Sequence, residues 1–201
     1  MREARDELIA GRRRVDGYGD AVAVELRTDR LLMRAWADAD RAPFAALNAD
    51  SEVMEHFPAV LSRAESDHLV DLVQEELTRR GWGLWAVELL EGGTFIGFVG
   101  LNDVPFEADF TPAVEVGWRL GRAHWGHGYA SEAASAALGY GFGPLRLDRI
   151  VSFTSPSNFR SQVVMQKIGM MPVGEFDHPR IAEGHPLRHH VLYAIDRPEH
   201  R

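Results

Sequence analysis

The stretch Trp125-Gly126-His127-Gly128-Tyr129-Ala130, followed by Ser131-Glu132-Ala133, carries the densest chemical information in the chain. Closely spaced glycines let a backbone approach a ligand, and the N–H groups in the first turn of a following helix lack intrahelical partners. Together they suit a bound anion, typically a phosphate or diphosphate. The same residues also suit a tight turn that packs a helix on a sheet. Two other phosphate motifs fit poorly. A Walker loop needs a lysine beside its last glycine, and the single lysine, Lys167, is far downstream. A dinucleotide fingerprint places Gly or Ala where Ser131 stands and starts at a strand end, whereas Gly121–Trp125 intervene here. Asp148 does lie about 20 residues on, but in the approach to the next strand rather than at its end.

Other residues could do chemistry. Glu115 shares one face of an alternating segment with Gly117 and Arg119, where an ordinary Glu115–Arg119 strand ion pair is one reading. Asn158 and Ser161 share a helix face and follow Pro156-Ser157, as residues that cap a helix do. His178, His185, His189 and His190 suggest a metal cluster, but Pro186 interrupts the His185–His189 spacing and no cysteine or patterned carboxylate accompanies them. We expect no metal there and a solvent-facing hairpin loop instead. Trp36, Phe57, Trp82 and Trp85 are expected in the core or in a groove wall.

The elements that must position these residues follow from periodicity. Val24–Trp36 reads as a strand kinked at Thr28-Asp29. A helix begins at Asp38 or Asp40 and runs to about Asn48. Ser62 starts a longer helix that Arg79-Arg80-Gly81 ends. Trp82–Leu90 and Thr94–Leu101 form a hairpin around Glu91-Gly92-Gly93, and Ala113–Leu120 alternates. Tyr129–Phe142 is an Ala-rich helix, Arg149–Phe153 a strand and Asn158–Ile168 a helix ended by Gly169. Met171–Phe176 and Val191–Ile195 are closing strands. This order predicts an α+β fold with a mixed, largely antiparallel sheet.

Composition narrows the function. The 201 residues suit one domain, read as a charged extension over 1–21 and a folded domain over 22–201. Twenty-two basic against thirty acidic residues give a net charge of −8, which argues against nucleic acid or a polybasic membrane anchor as partner. There is no cysteine, so disulfides, thiolate metal sites and a Cys nucleophile are excluded. No apolar run approaches a membrane span, and the charged first 20 residues lack the apolar stretch of a secretory signal. A cytoplasmic location is expected. Deleting residues 1–20 is expected to leave the fold intact.

The segment Trp-Gly-x-Gly-Tyr-Ala-x-Glu-Ala between a strand and a helix resembles the coenzyme A loop of GNAT acetyltransferases, and the wider pattern resembles their RimJ/RimL-like branch. Leu26-Arg27-Thr28-Asp29-Arg30-Leu31, Phe95-Ile96-Gly97, Glu115-Val116-Gly117-Trp118, Asn158-x-x-Ser161 and Lys167-Ile168-Gly169-Met170 match in order, over about Val24–Asp196. The resemblance implies a twisted sheet flanked by helices, splayed between its fourth and fifth strands, with the pantetheine arm of acetyl-CoA in the gap. The backbone of Trp118, Arg119 and Leu120 would pair with pantetheine amides. The amides of Trp125, Gly126, His127, Gly128, Tyr129 and Ala130 would hold the diphosphate.

By the same resemblance Glu115 is the candidate base, acting through water beside the thioester, with Glu88, Asn102 and Asp103 as weaker candidates. Ser161 is the candidate donor to the departing thiolate, and Asn158 would hold the pantetheine or cap its own helix. The sequence departs from many GNAT proteins at Met165, where a tyrosine would supply the acid. The implied reaction is direct acetyl transfer to an amine, with a non-catalytic acyl-CoA-binding module as the alternative. The acceptor is a protein N-terminus or a small molecule. The acidic net charge favours a cationic acceptor by steering. The oligomeric state stays open, a homodimer included.

Overall fold

The computed structural model describes residues 23–198; the extension over 1–21, and with it the expected effect of its deletion, lies outside the described residues. The Thr28-Asp29 kink divides the first predicted strand into β1 (Leu26–Arg27) and β2 (Leu31–Arg34), because Thr28 turns the chain by accepting from the Leu31 amide at 3.0 Å. A short 3-10 turn at Asp38–Asp40 leads into α1 (Arg41–Ala49). Helix α2 (Arg63–Arg80) opens on a reciprocal cap. Ser62 accepts from the Glu65 amide, and the Glu65 carboxylate accepts from the Ser62 amide. It closes on Gly81, at φ 76°.

Strands β3 (Leu84–Leu89), β4 (Phe95–Asp103) and β5 (Val114–Leu120) follow as an antiparallel meander. Helix α3 (Tyr129–Phe142) then crosses to β6 (Arg149–Thr154), α4 (Phe159–Lys167) follows, and β7 (Met171–Asp177) and β8 (His189–Asp196) close the sheet. The order is β1-β2-β3-β4-β5-β6-β8-β7, antiparallel except between β5 and β6. That parallel pair meets only at Val114–Ile150 and Glu115–Val151. Beyond it the two strands part. Counting Val24–Trp36 as one strand, the parting lies between the fourth and fifth strands, as expected.

The sheet is covered on both faces. Ala133, Ala134 and Ala137 are fully buried, and these small side chains let α3 lie close on β4 and β5. On the opposite face Phe98 of β4 packs with Phe44 of α1 and with Trp36, whose indole N–H donates to the Leu84 carbonyl at 2.8 Å. Register decides which side each residue of β5 faces. Arg119 stands opposite Phe98 and Glu115 opposite Asn102, so both face the α1 side. Val116 stands opposite Leu101 under α3.

Gly97 sits where β4 presses on β5. Its φ is 135°, and a Cβ there would lie 2.1 Å from the Arg119 carbonyl oxygen. Gly97→Ala is expected to cost about 3 kcal/mol or more, a fall in Tm of about 6–12 °C for a chain of this size. Gly139, exposed in α3 with no atom within 4 Å of its would-be Cβ, should respond oppositely. Gly139→Ala should gain about 0.5–1 kcal/mol by helix propensity. Thermal melts of the two variants check both signs.

The histidine expectation needs correction. His178 and His190 are not solvent-facing; they are 4% and 8% exposed. The end of the β7–β8 hairpin folds inward, with the His178 ring tilted against Phe106 at 4.6 Å and His190 at 5.2 Å, beside Phe153 and Phe176. Burial, with His190 and Arg180 nearby, pushes the His178 pKa down to about 4. Those rings pack as neutral aromatics. His185 is half-buried and His189 is exposed between Glu175 and Asp177.

Candidate active site

A cavity of about 1160 Å³ opens where β5 and β6 part, bounded also by α2, α4 and the loop between α1 and α2. Eleven of the twelve candidate site residues line it: Glu115, Trp118, Arg119, Leu120, Trp125, Gly126, Gly128, Tyr129, Ala130, Asn158 and Ser161. His127 does not. Its ring turns out to stack on Tyr129 at 5.5 Å, and its carbonyl accepts from Arg30 at 3.1 Å.

The glycine loop is built from backbone. Gly126 and Gly128 have φ of 79° and 83°, and Gly128 leads directly into α3. A Cβ on Gly126 would meet no atom within 4 Å, so the chain leaves open space there. None of the six amides from Gly126 to Ser131 donates to an acceptor among the described residues; the first helical bond is from Glu132 to the Gly128 carbonyl. Consecutive unpaired amides at a helix start form an anion cradle. The Trp125 amide is different from the expectation. It is engaged by the Arg122 carbonyl at 3.1 Å, and the cradle begins one residue later. The Trp125 indole instead donates to the Leu120 carbonyl at 2.8 Å, and the Arg160 guanidinium lies over its ring at 4.6 Å.

Residues remote in sequence hold the loop in place. The Glu132 carboxylate accepts from Thr28 Oγ1 at 2.6 Å, from the Arg30 amide at 3.0 Å and from Arg30 Nε at 2.7 Å. Burial alone would raise its pKa, but these bonds outweigh it and hold Glu132 below the ordinary carboxylate value. Arg30 also lies over the Tyr129 ring at 4.6 Å. The Thr28-Asp29 kink and Glu132 are each legible in the sequence; nothing local in either one announces their contact.

Glu115 is half-buried and makes no hydrogen bond or ion pair with any described residue. Burial raises its pKa from 4.5 to about 7. The ion pair with Arg119, one of the two readings of this strand, is absent among the described residues. The weaker candidates separate. Asn102 lines the cavity opposite Glu115, whereas Glu88 is bound by Arg34 and Asp103 by Arg80, both away from the cavity. Of the other carboxylates on the wall, Glu52 pairs with Arg122 and Glu65 closes the α2 cap.

Asn158 is fully engaged as a cap: its Oδ1 accepts from the Ser161 amide at 3.2 Å and its Nδ2 donates to Thr154 Oγ1 at 2.9 Å. The Ser161 hydroxyl has no partner among the described residues, and Ser161 lines the cavity. Met165 is 1% exposed and turned into the core. Among the described residues no group of three or more His, Asp or Glu is placed to hold a metal ion.

A domain model described as an acetyltransferase (GNAT) domain matches residues 30–171. The Bacillus subtilis protein YkkB is 34% identical over 147 residues, covering 73% of this chain and 84% of YkkB. The N-acetyltransferase YnaD of the same organism is 30% identical over 173 residues, covering 86% of this chain and 96% of YnaD. Among solved structures, a GNAT-family acetyltransferase from Bacillus anthracis superposes with a TM-score of 0.73 at 28% identity, over 88% of this chain and 100% of that one.

Proposed function

The chain belongs to the GNAT acetyltransferase family, and we propose that it moves an acetyl group from acetyl-CoA to an amine by direct attack in a ternary complex. One observation carries this reading: a cradle of unpaired amides and a partnerless carboxylate open onto a single cavity where the sheet parts. The coenzyme supplies a thioester that is already reactive. The chain's residues bind it, orient the amine and move protons.

Gly126–Ser131 hold the diphosphate through their amides, and the Arg160 guanidinium adds positive charge beside them. The edge of β5 beyond its short pairing with β6, from Val116 to Leu120 with the Leu120 carbonyl already taken by the Trp125 indole, takes the pantetheine arm as an added strand. The amine nitrogen forms the new C–N bond as the C–S bond breaks. Glu115 takes the amine proton through water; a pKa of about 7 leaves it half ionised at neutral pH and ionised above it, where an α-amine near 7.7–8.0 still largely holds its proton. Ser161 donates to the departing thiolate in place of the tyrosine that Met165 replaces.

Thiol release from acetyl-CoA with a panel of primary amines tests this function. Amine-dependent release with matching N-acetyl product is the expected result. Tight acetyl-CoA binding without release on any amine would make the chain a coenzyme-binding module.

A further inference from the structure

Resting on that reading, we propose that the acceptor is an aminocarboxylate, a small molecule with a carboxylate close to its reacting amine, and that Arg119 receives the carboxylate. Arg119 is 9% exposed and lines the cavity. Its Nη1 donates to Asn48 Oδ1 at 2.7 Å, and its guanidinium lies 4.0 Å from the Phe57 ring centre and 5.5 Å from that of Phe98. Its Nε is buried without an acceptor, and no described carboxylate pairs with it. Burial lowers its pKa to about 10, which leaves it cationic at neutral pH.

A buried cation without a counter-charge is among the costlier arrangements in a protein. This one is nevertheless held in a fixed pose. Asn48 is fully buried, and its Nδ2 donates to Ser66 Oγ at 2.9 Å, so its oxygen is turned toward Arg119. The aromatic faces orient the planar group without neutralising it. With Nη1 held by Asn48 and Nε buried, Nη2 is the donor of this fixed cation left for a carboxylate.

The strand supplies the spacing. Glu115, Gly117 and Arg119 face the same side, and a Cβ on Gly117 would meet nothing within 4 Å. Over four residues of β rise the two charged positions stand about 13 Å apart at Cα. The space above Gly117, between the two, is open. An aminocarboxylate lying there puts its amine toward Glu115, beside the thioester position, and its carboxylate toward Arg119. A polycation would face Arg119 with like charge in a poorly solvated wall. The net acidity of the whole chain therefore misleads about this site.

The test measures thiol release for matched acceptors: an amino acid, its carboxamide and its decarboxylated amine, with a neutral peptide N-terminus alongside. Wild type should favour the amino acid in kcat/KM by about tenfold to a hundredfold, chiefly through KM. In Arg119→Met the ratio should collapse toward one, and Arg119→Lys should restore part of it. A wild-type ratio of one or less, or preference for the neutral peptide, overturns the proposal. So does an Arg119→Met enzyme that loses rate on all acceptors alike with the ratio kept, the behaviour of a brace for the Asn48 and Phe57 region. If the variants do not fold, the wild-type series decides alone. Absence of release with every amine would overturn the transferase reading instead. Calorimetry on wild type with coenzyme A would then still read the Arg119 site, with N-acetylglycine expected to bind at least about tenfold tighter than N-methylacetamide, and equal binding overturning the proposal.

Discussion

Aspartate at both Gly126 and Gly128 is expected to weaken acetyl-CoA binding on the order of a thousandfold, about 4 kcal/mol. Three effects add. The open space beside Gly126, where a Cβ meets nothing within 4 Å, would be filled by a side chain. Both positions have positive φ, at 79° and 83°, which non-glycine residues adopt at a cost, although aspartate tolerates it better than most. Most of the loss is charge: two carboxylates would face a diphosphate that the unpaired amides of Gly126–Ser131 otherwise attract. Gly126→Ala adds bulk and strain without charge and should cost only about tenfold. Calorimetry with acetyl-CoA, on variants with unchanged far-UV circular dichroism, gives the comparison. Unchanged affinity in the double variant would remove the diphosphate from this loop.

Glu115→Gln should lower kcat/KM by about 10²–10³-fold at pH 7, with the gap narrowing as pH rises. Wild type should gain rate through pH 7 as Glu115 ionises, while the variant follows only the amine's own deprotonation. Stability should move the other way. The folded carboxyl holds its proton more tightly than the unfolded one, so its stabilising contribution is complete below pH 4.5 and is lost as pH rises through about 7. At pH 8 the Gln variant should therefore be more stable than wild type, by at most about 3 kcal/mol, and the difference should vanish near pH 4.5. Ser161→Ala should lower kcat by about tenfold to a hundredfold with little change in coenzyme affinity. A pH–rate profile and pH-dependent melts decide. A Glu115→Gln profile superimposable on wild type would take Glu115 out of the mechanism, and a normal kcat in Ser161→Ala would leave the thiolate to solvent.

Much of this molecule was legible locally. Ser62 and Gly81 bound α2 because caps satisfy backbone groups within a few residues. The alanine-rich run Tyr129–Phe142 marked α3, and Gly92 and Gly93 turn the β3–β4 hairpin with positive φ. The alternation of β5 placed Glu115 and Arg119 on one face, and the glycine loop marked an anion site, because both signals repeat over a span shorter than any tertiary contact.

What the sequence left open depends on partners far along the chain. Arg119 looked like the mate of Glu115, but Asn48, 71 residues away, takes its Nη1, which frees both charges for the cavity. Glu132 finds Thr28 and Arg30 across about half the chain. His178 and His190 read as polar loop residues, yet Phe106 and Phe153, brought from other segments, bury them. The carboxyl of Glu115 titrates near neutrality only because the surrounding elements exclude water from one side of it. Spacing along a chain decides which residues can share a face; burial and pairing depend on which distant faces meet, and only the assembled sheet and its covering helices determine that.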